Sequence, residues 1–162
     1  MDVKQREVRP FSVSGLQVRT CNAAEQQPGT ARIGPMWEQF FVEGVFDKIP
    51  NKQPDSFMYG VYSNYESDAS GHFDVTAGVA VTAPSEDFAQ IQVEGGDYLV
   101  FSAKGAMPDS VIQTWGLIWA YFKDNPQICR SFATDFEVYT SPDSVSVYIG
   151  IQDSDGFSRS SN

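Results

Sequence analysis

The chain has 162 residues and a net charge of −10, from 21 acidic and 11 basic side chains. That length fits one domain, which buries about 70% of its unfolded surface without a disulfide or metal staple. An acidic surface repels phosphate backbones, so direct DNA or RNA binding is not expected and cationic partners are favoured. Met1 to Pro10 is charged and lacks the apolar core of a signal peptide, and no apolar run approaches the ~18 residues of a membrane span. Cys21 and Cys129 make neither a CxxC pair nor a disulfide framework. A cytoplasmic protein with two reduced thiols and no membrane association is the expectation.

In chain order, Phe11 to Thr20 alternates weakly and predicts a strand. Ile33, Trp37, Phe40, Phe41 and Val45 then fall on one helical stripe, with Thr30 as a candidate cap and Pro35 suited to the first turn. Phe57 to Ser63 and Phe73 to Thr82 are rich in aromatic and β-branched residues and predict strands. So does Ala89 to Ala103, which Gly95-Gly96 splits, kinks or bulges. A second helix carries Val111, Trp115, Ile118, Trp119 and Phe122, begins at Pro108-Asp109 and stops at Asn125-Pro126. Strands Phe132 to Thr140 and Ser144 to Ile151 follow. Residues 152–162 are small and polar and predict a frayed tail.

The order strand, helix, strand, strand occurs twice, over about 11–82 and 89–151, within a single domain spanning 1–151. A shift of 78 positions sets Trp37 on Trp115 and Phe41 on Trp119, and carries Met58, Tyr59 and Val61 onto Phe136, Glu137 and Tyr139. The fold class expected is α+β, and a two-fold arrangement of βαββ units opens a ligand cleft at its axis.

The last hairpin carries the most chemistry. A four-residue loop, Ser141 to Ser144, pairs Thr140 with Val145 and sets Glu137 opposite Tyr148 and Tyr139 opposite Ser146. Glu137, Tyr139, Ser146 and Tyr148 then share one face, and Phe136, Val138, Val147 and Ile149 the other. A carboxylate among aromatic rings costs several kcal/mol if dry, unless a cation or hydrogen bonds compensate. Tyrosine hydroxyls supply some of those bonds, and a lipophilic cation supplies both charge and flat apolar surface. On the residues alone the alternative stays open: a solvated face with Glu137 as an ordinary surface acid. Trp37, Phe41, Trp115 and Trp119 at helical spacing likewise read as core ahead of pocket. In YGVYSNY, Tyr59 and Val61 take one face and Tyr62 the other, and nothing in the sequence says which is buried.

Glu66, Asp68 and the lone His72 surround a Ser70-Gly71 turn and read as solvated. There is no GxGxxG or Walker loop, no HExxH or Cys/His cluster, and no GxSxG elbow, so no cofactor or metal is expected.

The helix IGPMWEQFF, the strand YGVYSNYESDASGHFDVTAGV, the helix bearing Trp115 and Trp119, and TDFEVY with its hairpin together resemble the gyrase-inhibitor-like family. This is the AraC-type effector-binding domain, the sensor half of multidrug-responsive transcription regulators. The resemblance runs from about Ser12 to Ile151 and extends to stand-alone members encoded on integron cassettes that bind cationic drugs. It implies a duplicated βαββ fold with an eight-stranded antiparallel sheet and a central drug-binding cleft. The family's buried pocket glutamate matches Glu137. Its pocket tyrosine after the first helix matches Tyr59, its first-helix aromatic matches Trp37, and the residue two past the glutamate is Tyr139. Trp115 and Trp119 match an aromatic pattern of the second helix.

The expected ligand site is therefore Glu137, Tyr59, Trp37, Tyr139, Trp115 and Tyr148, binding lipophilic cationic small molecules. The regulators of this family carry a separate DNA-binding domain, for which 162 residues leave no room. Two further readings stand beside ligand binding. One is a hydrolase using Glu137 as base and Tyr59 or Tyr148 as proton donor. The other is an acidic inhibitor or adaptor of a protein partner, or a homodimer.

Overall fold

The computed structural model describes residues 3–152 apart from 55 and 69; most of the expected polar tail lies outside them. The elements are β1 (Val3–Val8), β2 (Phe11–Cys21), α1 (Asn22–Glu25), α2 (Ile33–Val42), α3 (Val45–Lys48), β3 (Met58–Ser63), β4 (His72–Val81), β5 (Ala89–Val93), β6 (Gly96–Lys104), α4 (Asp109–Asp124), β7 (Arg130–Ser141) and β8 (Ser144–Ile151). The eight strands form one antiparallel sheet in the order β1-β6-β8-β7-β3-β4-β2-β5. The fold is α+β, as the residue patterns predict.

The sheet order is symmetric about the central β3–β7 pair. On either side come β4 or β8, then β2 or β6, and finally β5 or β1. Each half borrows its outermost strand: β1 precedes β2 in the chain but pairs with β6, and β5 precedes β6 but pairs with β2. No sequence pattern announces β1, because VKQREV is an edge strand with most of its side chains in solvent. Its charged residues are the usual protection of a sheet edge. Gly95-Gly96 divides β5 from β6, so the long apolar run is two strands.

The two main helices lie on the same side of the sheet. Helix α2 packs Met36 and Phe40 with Val45 and Ile49 against Phe73, Val75, Ala77, Val79 and Val81 of β4. Helix α4 packs Val111 and Ile118 against Leu99 and Phe101 of β6 and Val145, Val147 and Ile149 of β8. Full burial of each such side chain stabilises the fold by about 1.5–3 kcal/mol. A third cluster, with Val13, Val61, Val93, Tyr98 and Phe136 buried, covers the opposite side of the sheet. The central strands are therefore buried on both faces.

Helix α2 differs from expectation at both ends. Thr30 does not cap it; its hydroxyl bonds Ala24 O, and the Glu25 carboxylate accepts from Arg32 N at 2.8 Å and Ile33 N at 3.3 Å. Gly44, with φ 62°, then breaks the chain out of the helix, so Val45 of the predicted stripe starts α3.

Candidate functional site

Two helices on one side of an eight-stranded sheet leave a cleft of about 1020 Å³ between them, floored by β3 and β7. Ile33, Trp37 and Phe41 line it from α2, and Val111, Ile112, Trp115 and Trp119 from α4. Each amphipathic stripe is thus divided between core and cleft: Phe40 and Ile118 are fully buried, while Phe41 and Trp119 at the cleft wall remain 59% and 46% exposed. The helix rings pack down onto the floor on either side. Trp37 packs edge-on to Tyr139 at 5.4 Å and stacks on Phe41, and Trp115 packs on Tyr62 at 5.1 Å and on Trp119.

At the floor is Glu137, only 3% exposed. Its Oε2 accepts from Tyr62 OH at 2.8 Å and from Trp115 Nε1 at 2.7 Å, and its Oε1 accepts from Tyr139 OH at 2.7 Å. Burial pushes its carboxyl above the ordinary carboxylate range, and the three neutral donors only partly oppose that shift. The same burial, and then the charge of Glu137, pushes Tyr62 and Tyr139 well above the ordinary phenol value, so both act as neutral donors. Opposite Glu137 on β3 is Gly60. A Cβ there would fall 2.8 Å from Glu137 Oε1 and 3.3 Å from Trp37 Cζ2, so a bare backbone position makes room for the carboxylate.

A second acid, Asp135, lies two residues earlier on the same face and is fully buried. Its surroundings are different. Arg130 Nη2 reaches its Oδ2 at 2.8 Å, Tyr65 OH donates to the same oxygen, and Gly150 N donates to Oδ1. A register shift between Arg130 and Asp135 turns Arg130 onto this face. Of the ion pairs among the described residues, this is the buried one; Glu137 takes part in none.

Of the expected residues, the structure brings Glu137, Trp37, Tyr139 and Trp115 together in the cleft. It does not bring Tyr59 or Tyr148 there. A bulge at Thr140, between the Tyr139–Val145 and Ser141–Ser144 pairs, moves the hairpin by one residue. Glu137 is therefore opposite Val147, and Tyr148 is opposite Phe136, on which it stacks at 4.5 Å on the far side of the sheet. A shift of one residue sends every side chain to the other face. Tyr59, paired with Val138, points to that same far side against Phe11 and Phe136. The hydrolase reading, with Tyr59 or Tyr148 as proton donor to chemistry at Glu137, is corrected by the same geometry.

Tyr62 takes the place expected of Tyr59, and Tyr65, Met58 and Arg130 join it in the lining. The period-2 alternation that separates Tyr59 from Tyr62 was available as a signal, but it does not rank two faces that are both buried. The register also revises the internal alignment. Cleft-facing positions are even-numbered on β3 and odd-numbered on β7, so a two-fold relation between these strands needs an odd shift. The shift of 78 that matches the helices would set Tyr59, on the far side, upon Glu137.

The model of integron-associated effector-binding proteins matches residues 6–151. The chain belongs to that family. An integron cassette protein from the mobile metagenome of Vibrio cholerae is 39% identical, with a TM-score of 0.79 over 93% of this chain and 95% of that one. A putative transcriptional regulator of Bacillus subtilis, YobU, is 29% identical over 133 residues, 78% of this chain and 79% of its own length. SAV2435, solved bound to tetraphenylphosphonium, shares the fold at 17% identity, with a TM-score of 0.77 over 94% of this chain and 95% of that one. The family is one of effector-binding domains akin to those of regulators. Among the described residues no helix is long and apolar enough to cross a membrane.

Proposed function

We propose that the cleft binds amphipathic organic cations, with Glu137 as counter-charge and Trp37, Tyr62, Trp115 and Tyr139 as the aromatic walls. The observation that carries this reading is the contrast between the two buried acids. Asp135 has its cation in Arg130 at 2.8 Å, whereas Glu137, two residues along the same strand, is held only by three neutral donors. Neutral donors offset the burial of the Glu137 carboxylate only in part, and a cleft walled by rings offers the missing charge a place by ion pairing and cation–π contact. That SAV2435, of the same fold, has been solved with a lipophilic phosphonium supports the choice of ligand class.

Tryptophan fluorescence tests it directly, since Trp37 and Trp115 line the cleft. Titration with tetraphenylphosphonium is expected to quench emission saturably. Glu137→Gln should weaken binding about 30-fold, from the ~2 kcal/mol lower bound for removing one partner of a buried charge pair. Equal affinity in parent and variant would remove Glu137 as the determinant of charge.

A further inference from the structure

The cleft has a second polar feature, which the binding of a simple cation does not use. Arg130 lines the same cavity, and its side chain is only 9% exposed. Its guanidinium lies over the Phe132 ring at 4.4 Å. Nη2 is committed to Asp135 at 2.8 Å, and Nε is enclosed without an acceptor. Arginine presents five N–H donors, and Asp135 engages one nitrogen, so the group enters the cavity wall with donor capacity unspent. Desolvated donors without acceptors are costly; the Tyr65 hydroxyl in the lining also hydrogen-bonds the guanidinium, and Nε is the donor left without an acceptor.

The two poles have a defined spacing. Asp135 and Glu137 are two residues apart on one face of β7, which separates them by roughly 7 Å. The Arg130 guanidinium is attached to Asp135. The floor therefore presents a carboxylate without a cation at one point and a guanidinium about one aromatic ring away.

We propose that the preferred ligands are amphoteric: a lipophilic cation carrying a carboxylate or similar acceptor about 7 Å from its positive centre. The cation lies over Glu137 and the acceptor bonds Arg130. This rests on the cation-binding reading above and narrows its ligand class. A purely cationic compound fills only the Glu137 pole. A carboxylate on the far side of one phenyl ring reaches the spare donors of Arg130, where a charge-assisted bond forms in a site already withdrawn from water.

The test compares tetraphenylphosphonium with (4-carboxyphenyl)triphenylphosphonium, titrated into the full chain by tryptophan fluorescence. The variants are Arg130→Lys, which keeps the charge but loses the fork, and the double change Arg130→Gln with Asp135→Asn, which removes the buried pair as a unit so that no lone charge is left to unfold the domain. The parent is expected to bind the carboxylated compound at least as tightly as the simple cation. The double variant should lose about tenfold for the carboxylated compound alone, the size of one charge-assisted hydrogen bond, and Arg130→Lys should lose part of that.

Equal loss for both compounds would make Arg130 a support of cleft shape and overturn the proposal. So would no loss for either, or a parent that binds the simple cation but rejects the carboxylated one. A parent that binds neither compound overturns the cation-binding reading and this inference with it, so the two failures are distinguishable.

Discussion

Gly60 makes the Glu137 site possible by having no side chain. A Cβ at that position would sit 2.8 Å from Glu137 Oε1 and 3.3 Å from the Trp37 ring, closer than the carboxylate can tolerate without moving. Gly60→Ala is therefore expected to destabilise the domain by about 1–3 kcal/mol, the usual cost of overpacking, and to weaken tetraphenylphosphonium binding by pushing the carboxylate off its three donors. Thermal unfolding and titration of the same variant check both; unchanged affinity would show that the carboxylate does not depend on that space. Glu137 itself was legible as a carboxylate flanked by aromatics. Its partner Tyr62 was not, because Tyr59 and Tyr62 differ only by strand parity and β3 is buried on both sides, with Val61 on one face as enclosed as Gly60 on the other.

The hairpin of β7 and β8 shows how one residue in an element controls a site. Where a four-residue loop closed by Thr140 and Val145 was expected, Ser141 pairs with Ser144 about a turn at Pro142-Asp143, and the bulge at Thr140 then moves every pair beyond it by one. The result is that Val147 rather than Tyr148 stands beside Glu137. Bulges are decided by how a strand twists against its neighbours, and Thr140 carries no local signal of one. A second close approach joins β2 to β4. Gly15 and Gly78 are directly paired, and a Cβ on either would fall 1.8 Å from Ala77 O or 1.9 Å from Ser14 O. The obstacle is backbone, which cannot step aside as a flexible side chain can. Gly15→Ala is expected to cost more than about 3 kcal/mol, seen as loss of the cooperative unfolding transition or of soluble protein; a near-parental melting temperature would refute it.

The linked energetics of the domain follow from the Glu137 charge. Its carboxyl is raised in the folded state, and the unfolded value is about 4.3. The folded state therefore holds this proton more tightly than the unfolded chain. The stabilisation from that proton is complete below about pH 4.3 and is lost as pH rises through the folded value. In the absence of ligand, Glu137→Gln is expected to melt higher than the parent at pH 7, with the gap closing toward pH 4. Glutamine can turn its oxygen to Trp115 and Tyr62 and donate from its amide nitrogen to the Tyr139 oxygen, so two donors keep their acceptor and Tyr139 changes from donor to acceptor. A bound cation favours the ionised form and reverses the sign. At 100 times Kd it should raise the parent melting temperature by about 5–10 °C at neutral pH. The increment should shrink as the pH is lowered through the Glu137 titration, and a pH-independent increment would separate ligand binding from this carboxylate.

Residue pattern alone determined the class of the fold, the βαββ order of its repeated part and the two helices with their stripes; Glu137 was singled out only with the family resemblance, since the residues alone left a solvated surface acid open. Those features rest on local chemistry, since burial imposes its period on any helix that packs against a sheet. The exchange of outer strands β1 and β5, the Thr140 bulge, the placement of Tyr62 instead of Tyr59 and Tyr148 at the floor, and the capture of Asp135 by Arg130 came from the fold. Each depends on which strands meet and in what register, and a period-2 pattern buried on both faces carries no record of that choice. The net charge of −10 says only that the surface is acidic. That one buried acid has its own cation and its neighbour has none is a property of the assembled sheet.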